Sequence, residues 1–245
     1  MNRIDDKVAV ITGATSGIGE ASAKLFSLAG AKIVIGGRNE ERGNRIAKEI
    51  IKEGGEAEFI SVDVSDSASV DVFTKKAVER FGGVDILFNN AGVFPPVPDL
   101  EETDEKQWEE IFNINSTGIY RVTKSFIPYL IERNGSILNN ASVAGMQSFA
   151  SGRVYAYGAS KAAVIQFSRM LAKMYGDRIR VNCICPGVVD TPIFINRDFS
   201  RYENLIPMRR VAKPEDIAKV ANFLVSDDAG YINGAVIPVD GGQSL

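Results

Sequence analysis

The chain of 245 residues contains no histidine. That absence excludes a Ser-His-Asp triad, a Cys-His dyad and any His-ligated zinc. Acid–base work near neutral pH must fall to another side chain with a displaced pKa. Cysteine is scarce too, with only Cys183 and Cys185. On a strand they share a face, too close in sequence for an easy disulfide, and two thiolates leave a metal shell incomplete. They read as buried, reduced thiols of a cytoplasmic protein. An excess of positive charge is also missing: 28 Lys and Arg stand against 31 Asp and Glu, so no basic field points to nucleic acid. No apolar run approaches the roughly 18 residues of a membrane span. The opening MNRIDDKVAVIT is charged and lacks the apolar stretch of a signal peptide.

What is present is an alternation. Short β-branched apolar runs fall near 7–12, 32–36, 57–62, 84–88, 135–139, 179–185 and 235–239. They are continuous rather than alternating, which suits strands covered on both faces. Helices between them have starting signals: Asn39 before Glu40-Glu41, Ser65-Asp66, Thr103 before Asp104-Glu105, and Pro214 before Glu215-Asp216. This spacing predicts an α/β fold, a Rossmann-type doubly wound parallel sheet of about seven strands with helices on both faces. The length fits one domain over 1–245.

The first run ends in Thr12-Gly13-Ala14-Thr15-Ser16-Gly17-Ile18-Gly19 and a helix follows. Glycines at such a junction permit a tight turn and let the backbone approach a pyrophosphate, where free N–H groups and the helix dipole favour anions.

TGATSGIG resembles the cofactor loop of the short-chain dehydrogenase/reductase family, and further marks of that family follow in order. Asp63-Val64 ends the third strand. Asn89-Asn90-Ala91-Gly92 ends the fourth. Asn115 lies in NINSTG after Trp108. Ser142 follows the fifth strand, then Tyr157-x-x-x-Lys161, then Pro186-Gly187 after the sixth, and VDGG at 239–242. The resemblance covers essentially the whole chain. It implies a dinucleotide held by Gly13, Thr15, Ser16, Gly17, Ile18, Gly19, Arg38, Asp63, Val64, Asn90, Ala91, Gly92, Tyr157, Lys161, Pro186, Gly187, Val189 and Thr191. It further implies no metal in the chemistry, a homotetramer, and a water linked to Lys161 through Asn115. Asn113 is a competing amide, but Asn115 aligns with the family position.

Tyr157 and Lys161 are four apart, so on a helix they stack on one face. A phenol titrates near 10, and a nearby cation lowers that value by about 1–3. A positively charged nicotinamide would push the same way. The reading is therefore hydride transfer between nicotinamide C4 and a secondary alcohol or ketone. Tyr157 serves as acid/base, Ser142 orients the oxygen, and Lys161 tunes the phenol and touches the ribose. Tyr155, about 200° round the helix from Tyr157, is expected to be pocket wall or packing. Ser148 and Ser151 are weaker candidates than Ser142, since loop serines usually bond locally. The segment from Ser142 to Tyr157 is longer than is usual in the family, with an insertion expected within 146–153.

NAD-preferring members usually carry an acid near Gly37; here it is absent and Arg38 follows, which suits a 2′-phosphate and favours NADP(H), with NAD(H) as the alternative. A lid is expected over 191–211, mixing Phe194, Phe199, Tyr202, Ile206 and Met208 with Arg197, Arg201, Arg209 and Arg210. One reading is an apolar pocket with basic groups at its mouth for a carboxylate, phosphate or carrier-protein substrate; the other is a loop with solvated arginines. The apolar loop 93–98 is a second expected wall. Similar members include 3-oxoacyl-carrier-protein reductases and hydroxysteroid dehydrogenases. A non-catalytic nucleotide sensor on the same fold is the rival class, which degenerate Tyr157, Lys161 or Ser142 would have favoured.

Overall fold

The computed structural model describes residues 3–95, 99–149, 154–194 and 199–245, with only the backbone of Arg201. Its centre is a seven-stranded parallel sheet in the order β3-β2-β1-β4-β5-β6-β7. The strands are β1 Val8–Thr12, β2 Lys32–Gly37, β3 Ala57–Ser61, β4 Ile86–Asn89, β5 Ser136–Asn140, β6 Arg180–Pro186 and β7 Val236–Val239. Each lies within one or two residues of its apolar run. The helices are α1 Gly17–Leu28, α2 Glu40–Lys52, α3 Ser67–Phe81, α4 Glu105–Phe112, α5 Gly118–Glu132, α6 Tyr155–Tyr175, α7 Ser200–Glu203 and α8 Pro214–Val225.

The expectation of strands buried on both faces holds at the centre and fails at the edges. β1 and β5 are buried at every position, whereas β3 exposes Glu58 and Ser61, and β7 is buried nowhere along its length. An edge strand has one neighbour and one flank open to water, so its pattern turns mixed. Two cores cover the faces. One joins Phe26 and Phe88 beneath α1, α2 and α8; the other joins Phe73 and Phe126 beneath α3, α5 and α6. Each buried aromatic stabilises by roughly 1.5–3 kcal/mol, and Phe73 meets Phe126 edge-on at 5.7 Å.

The helix starts follow their caps. Asn39 Oδ1 accepts from Arg42 N at 2.9 Å, and Asp66 caps α3. For α4 the cap is Asp104, one residue later than Thr103, because the Asp104 carboxylate takes the Lys106 N–H. Between α4 and α5 the backbone passes through one wide π-helical turn, Asn113–Thr117. Such turns insert an extra residue and redirect a side chain; here the redirected residue is Asn115. Cys183 and Cys185 are free and buried, sharing one face of β6 as expected. Among the described residues, no helix is long and apolar enough to cross a membrane.

Candidate active site

A cleft of about 1080 Å³ runs along the C-terminal ends of the strands. It crosses the sheet between β1 and β4, where strand order reverses and the flanking connections part. The turn after β1 is dictated by contact with the turn after β4. Gly13 adopts φ +64°, and a Cβ there would stand 2.7 Å from Ala91 Cα. A Cβ on Gly19 would collide with the Gly13 carbonyl oxygen. Thr15, Ser16, Gly17 and Ile18 reach the cleft wall; Gly19 stands behind it, packed on the loop. The first turn of α1 aims its N–H groups into this end, as an anion requires. A tight turn whose glycines have no room for a Cβ, opening beside a helix N-terminus, fits a dinucleotide phosphate.

The two turns are tied by asparagines. Asn90 Nδ2 donates to Thr12 O and Gly13 O at 3.1 and 3.2 Å. Thr12 Oγ1 accepts from Asn90 N and Ala91 N. Asn140 Nδ2 donates to Asn90 Oδ1 at 2.9 Å, and the Asn140 carbonyl accepts from Lys161 Nζ at 2.8 Å. A continuous chain thus runs from the glycine turn to Lys161. Asn140 lines the cleft, and its Oδ1 finds no donor among the described residues. Sequence reading missed Asn140. The only available signal was the pair Asn139-Asn140 closing the Ile137-Leu138 run, two residues before Ser142.

Tyr157, Ser142 and Lys161 converge on the cleft midway along it. Tyr157 is in the first turn of α6, and Lys161 follows one turn later with its Nζ 5.8 Å from the Tyr157 ring centroid. Ser142 caps the short turn after β5, its Oγ accepting from Ala144 N at 3.2 Å. The expected effect of the cation on the phenol is not what the free protein has. Burial pushes the Tyr157 phenol up, with the Ser142 hydroxyl beside it pulling down less strongly. Lys161 is itself desolvated, which lowers it to about 8 against the opposing effect of the neighbouring thiols Cys183 and Cys185. A cation that shares the cost of burial cannot outweigh the burial of its partner. Without a dinucleotide the proton stays on Tyr157.

Asn115 is fully buried and stands behind the wall rather than on it. Its Oδ1 accepts from Val93 N at 2.8 Å and its Nδ2 donates to Val93 O at 3.0 Å. It therefore clamps the loop backbone that carries Phe94 into the cleft. A Cβ on Gly92 would lie 3.3 Å from Asn115 Oδ1 and 3.4 Å from Lys161 Nζ, so the amide and the ammonium flank the same glycine. Asn113 is half-buried and contributes a carbonyl to Arg121.

At one end, Asp63, Val64, Arg38 and, unforeseen, Arg42 line the cleft. The Asp63 carboxyl is held below its usual range chiefly by the Ser65 hydroxyl, which donates to it at 2.6 Å, with Arg38 adding a smaller effect. A Cβ at Gly37 would stand 2.7 Å from Thr15 Cγ2, so Thr15 closes the place where an acid was sought. Arg42 escaped notice because it lies one turn into α2, outside the motif.

At the other end, Val93, Phe94 and Pro95 form the expected wall; residues 96–98 lie outside the described set, as do Ser151, Arg197 and part of the expected insertion. Tyr155 is exposed on the first turn of α6 and is neither wall nor core, because α6 starts at that residue and turns it outward. Ser148 is exposed and away from the cleft. From the lid, Phe194 and Tyr202 line the cleft and Ile206 is buried, but Met208 is exposed. Arg209 donates to Asn204 O, and Arg210 pairs with Asp216 at 2.6 Å; neither faces the cleft. Pro186, Gly187, Val189 and Thr191 line it as expected, joined by Gln243, whose Oε1 accepts from Val188 N.

A family profile described as Enoyl-(Acyl carrier protein) reductase matches residues 13–244. The chain is 43% identical over 249 residues to a 2,5-dichloro-2,5-cyclohexadiene-1,4-diol dehydrogenase of Sphingobium indicum, covering 100% of this chain and 98% of that one. It is 37% identical over 245 residues to a 3-oxoacyl-[acyl-carrier-protein] reductase of Thermotoga maritima, covering 98% of each. The crystal structure of a 3-ketoacyl-(acyl-carrier-protein) reductase of Brucella melitensis complexed with NADH matches with TM-score 0.92 and 36% identity, over 98% of this chain and 99% of that one. The switch-point cleft, the glycine turn and these likenesses over nearly the whole chain together place it in the short-chain dehydrogenase/reductase family, as an oxidoreductase.

Proposed function

We propose that the protein interconverts a secondary alcohol and its ketone with a nicotinamide dinucleotide, NADP(H) ahead of NAD(H). The observation that carries this reading is the convergence of Tyr157, Ser142 and Lys161 at one point of a cleft whose far end is a phosphate cradle. When bound, the nicotinamide supplies or accepts the hydride. Ser142 donates to the substrate oxygen and holds it against Tyr157. Tyr157 gives its proton to that oxygen in reduction and takes one back in oxidation. Lys161, fixed on the Asn140 carbonyl, supplies the positive charge that offsets burial when the phenol must ionise. Because burial keeps Tyr157 protonated, reduction is ready at neutral pH, while oxidation accelerates as pH rises.

Arg38 and Arg42, exposed on the wall of the Asp63 end, support the preference for a 2′-phosphate. The relatives are named for a ring diol and for a carrier-bound oxoacyl group. Both are changes between C–OH and C=O, so they support the reaction class and leave the substrate open. A homotetramer in the cytoplasm accords with the family and with two reduced buried thiols.

Tyr157→Phe tests the reading. Turnover should fall by about 10²–10⁴, the worth of a positioned acid–base group, while the dissociation constant for NADPH stays unchanged. A variant with near wild-type kcat would remove Tyr157 from the chemistry.

A further inference from the structure

The substrate end of the cleft is built from rings. Phe94 meets Tyr157 edge-to-face, with centroids 4.8 Å apart and planes at 70°. Phe94 also meets Phe194 at 5.7 Å and 63°, and Phe194 meets Phe199 at 5.6 Å and 88°. These four side chains come from three separate segments: the loop after β4, the start of α6 and the lid. Each near-perpendicular contact fixes the next, so a rigid aromatic series leads away from the reacting phenol. Asn115 holds its root by clamping Val93 from both sides.

Among the described residues, no Asp, Glu, Lys or Arg other than Lys161 lines this end. Among the described residues the cleft's ionisable wall consists of Arg38, Arg42, Asp63, Tyr157, Lys161 and Tyr202. The first three stand at the far end and Lys161 is committed to the Asn140 carbonyl. Arg209 and Arg210, the described arginines of the expected lid, have partners outside the cleft. An anion placed here would lose its hydration and meet the negative faces of the rings, with no free cation in return among the described residues.

From this geometry we infer that the substrate is an uncharged, largely apolar alcohol or ketone whose carbinol carbon is part of a ring. The inference rests on the reaction class proposed above and narrows it. A ring presents C–H edges to aromatic faces over its whole outline, whereas a chain covers little of each face. A ring also has fewer rotors to freeze on binding. In oxidation the carbinol C–H bond breaks and its electron pair leaves with the hydrogen as hydride to the dinucleotide. The O–H proton passes to Tyr157, and the C=O bond forms, so two electrons and two hydrogens leave the alcohol.

The test uses the full chain with NADP(H) and a panel of probes: 1-tetralol and cis-1,2-cyclohexanediol as neutral rings, 2,3-butanediol as a neutral chain, 3-hydroxybutyrate as an anion. Binding of α-tetralone to the protein–NADP⁺ complex is measured separately by calorimetry. The better ring alcohol should exceed both the chain and the anion in kcat/KM by at least about tenfold, the factor that two or more aromatic contacts give. Phe94→Ala should raise KM for the ring by about tenfold on the same basis. It should raise KM for 2,3-butanediol by a clearly smaller factor and leave NADPH binding, read by cofactor fluorescence, unchanged. Equal or better turnover of the chain or the anion overturns the inference, as does a Phe94→Ala loss of the same size for all probes. α-Tetralone that binds without any turnover supports the ring pocket and sinks the reaction class instead; no turnover and no α-tetralone binding overturns the ring pocket.

Discussion

The phosphate-facing half of the cleft is held by main chain, and the substrate half by side chains stacked on one another. In the first, Gly13 fits because Ala91 Cα leaves no room for a Cβ, and Asn90 binds two carbonyls of the facing turn. In the second, Phe94, Phe194 and Phe199 find each other across segments 100 residues apart in sequence. Backbone constraints demand a particular residue type at a fixed place in each turn, so each motif keeps its own spacing even though Gly13 and Ala91 lie far apart in the chain. Aromatic packing needs only bulk in the right place and leaves no spacing. The difference teaches why one half binds a common cofactor while the other is free to select a substrate.

Lys161 stands where the halves meet, and removing it should have the largest effect. Its pKa is lowered from 10.5 to about 8, so folding favours its neutral form. The burden on the folded state is fully present below pH 8 and fades as pH rises towards 10.5. That gap corresponds to about 3 kcal/mol, partly offset by the hydrogen bond to Asn140, worth about 1–3 kcal/mol. Lys161→Met should therefore reduce turnover by at least about a hundredfold yet raise Tm at pH 7 by about 2–4 °C. The thermal gain should vanish by pH 10. A Tm that falls at pH 7, measured by calorimetry, would contradict a strained cation.

Asn140→Leu should break the cofactor half alone. It keeps the volume but leaves Asn90 Oδ1 without its donor, a loss of about 1–3 kcal/mol. The dissociation constant for NADPH should rise about tenfold on that basis, with KM for substrate little changed. A rise in substrate KM with unaltered cofactor binding would show that the asparagine chain serves the other half. Asn140 illustrates what sequence conceals. Tyr157, Lys161 and the glycine turn were legible because helix periodicity and turn sterics fix their spacing, and Ser142 was legible from its place after an apolar run and from the family's marks. The sheet was legible from its apolar runs, apart from its two edges, where exposure depends on the number of neighbours. Asn140 and Arg42 were not legible, since their roles arise from which strand end or helix turn lies opposite. Nor was the upward displacement of Tyr157, because burial is a property of the assembled cleft and not of a tyrosine and a lysine four residues apart.

The smallest effect concerns cofactor choice, where the phosphate half depends on side chains after all. Arg38→Asp should shift the ratio of kcat/KM for NADPH over NADH by about tenfold towards NADH, the worth of one exposed charge-assisted contact. Arg42 should limit that shift by remaining on the same wall. Placing the acid at Gly37 instead should do less than Arg38→Asp, because its Cβ would press on Thr15 Cγ2 at 2.7 Å. Thr15→Gly combined with Gly37→Asp removes that contact and should lower the dissociation constant for NADH relative to Gly37→Asp alone. If the double variant binds NADH no better than the single one, Thr15 is not what closes the position. The selectivity of this end would then lie with the two arginines rather than with the shape of the turn.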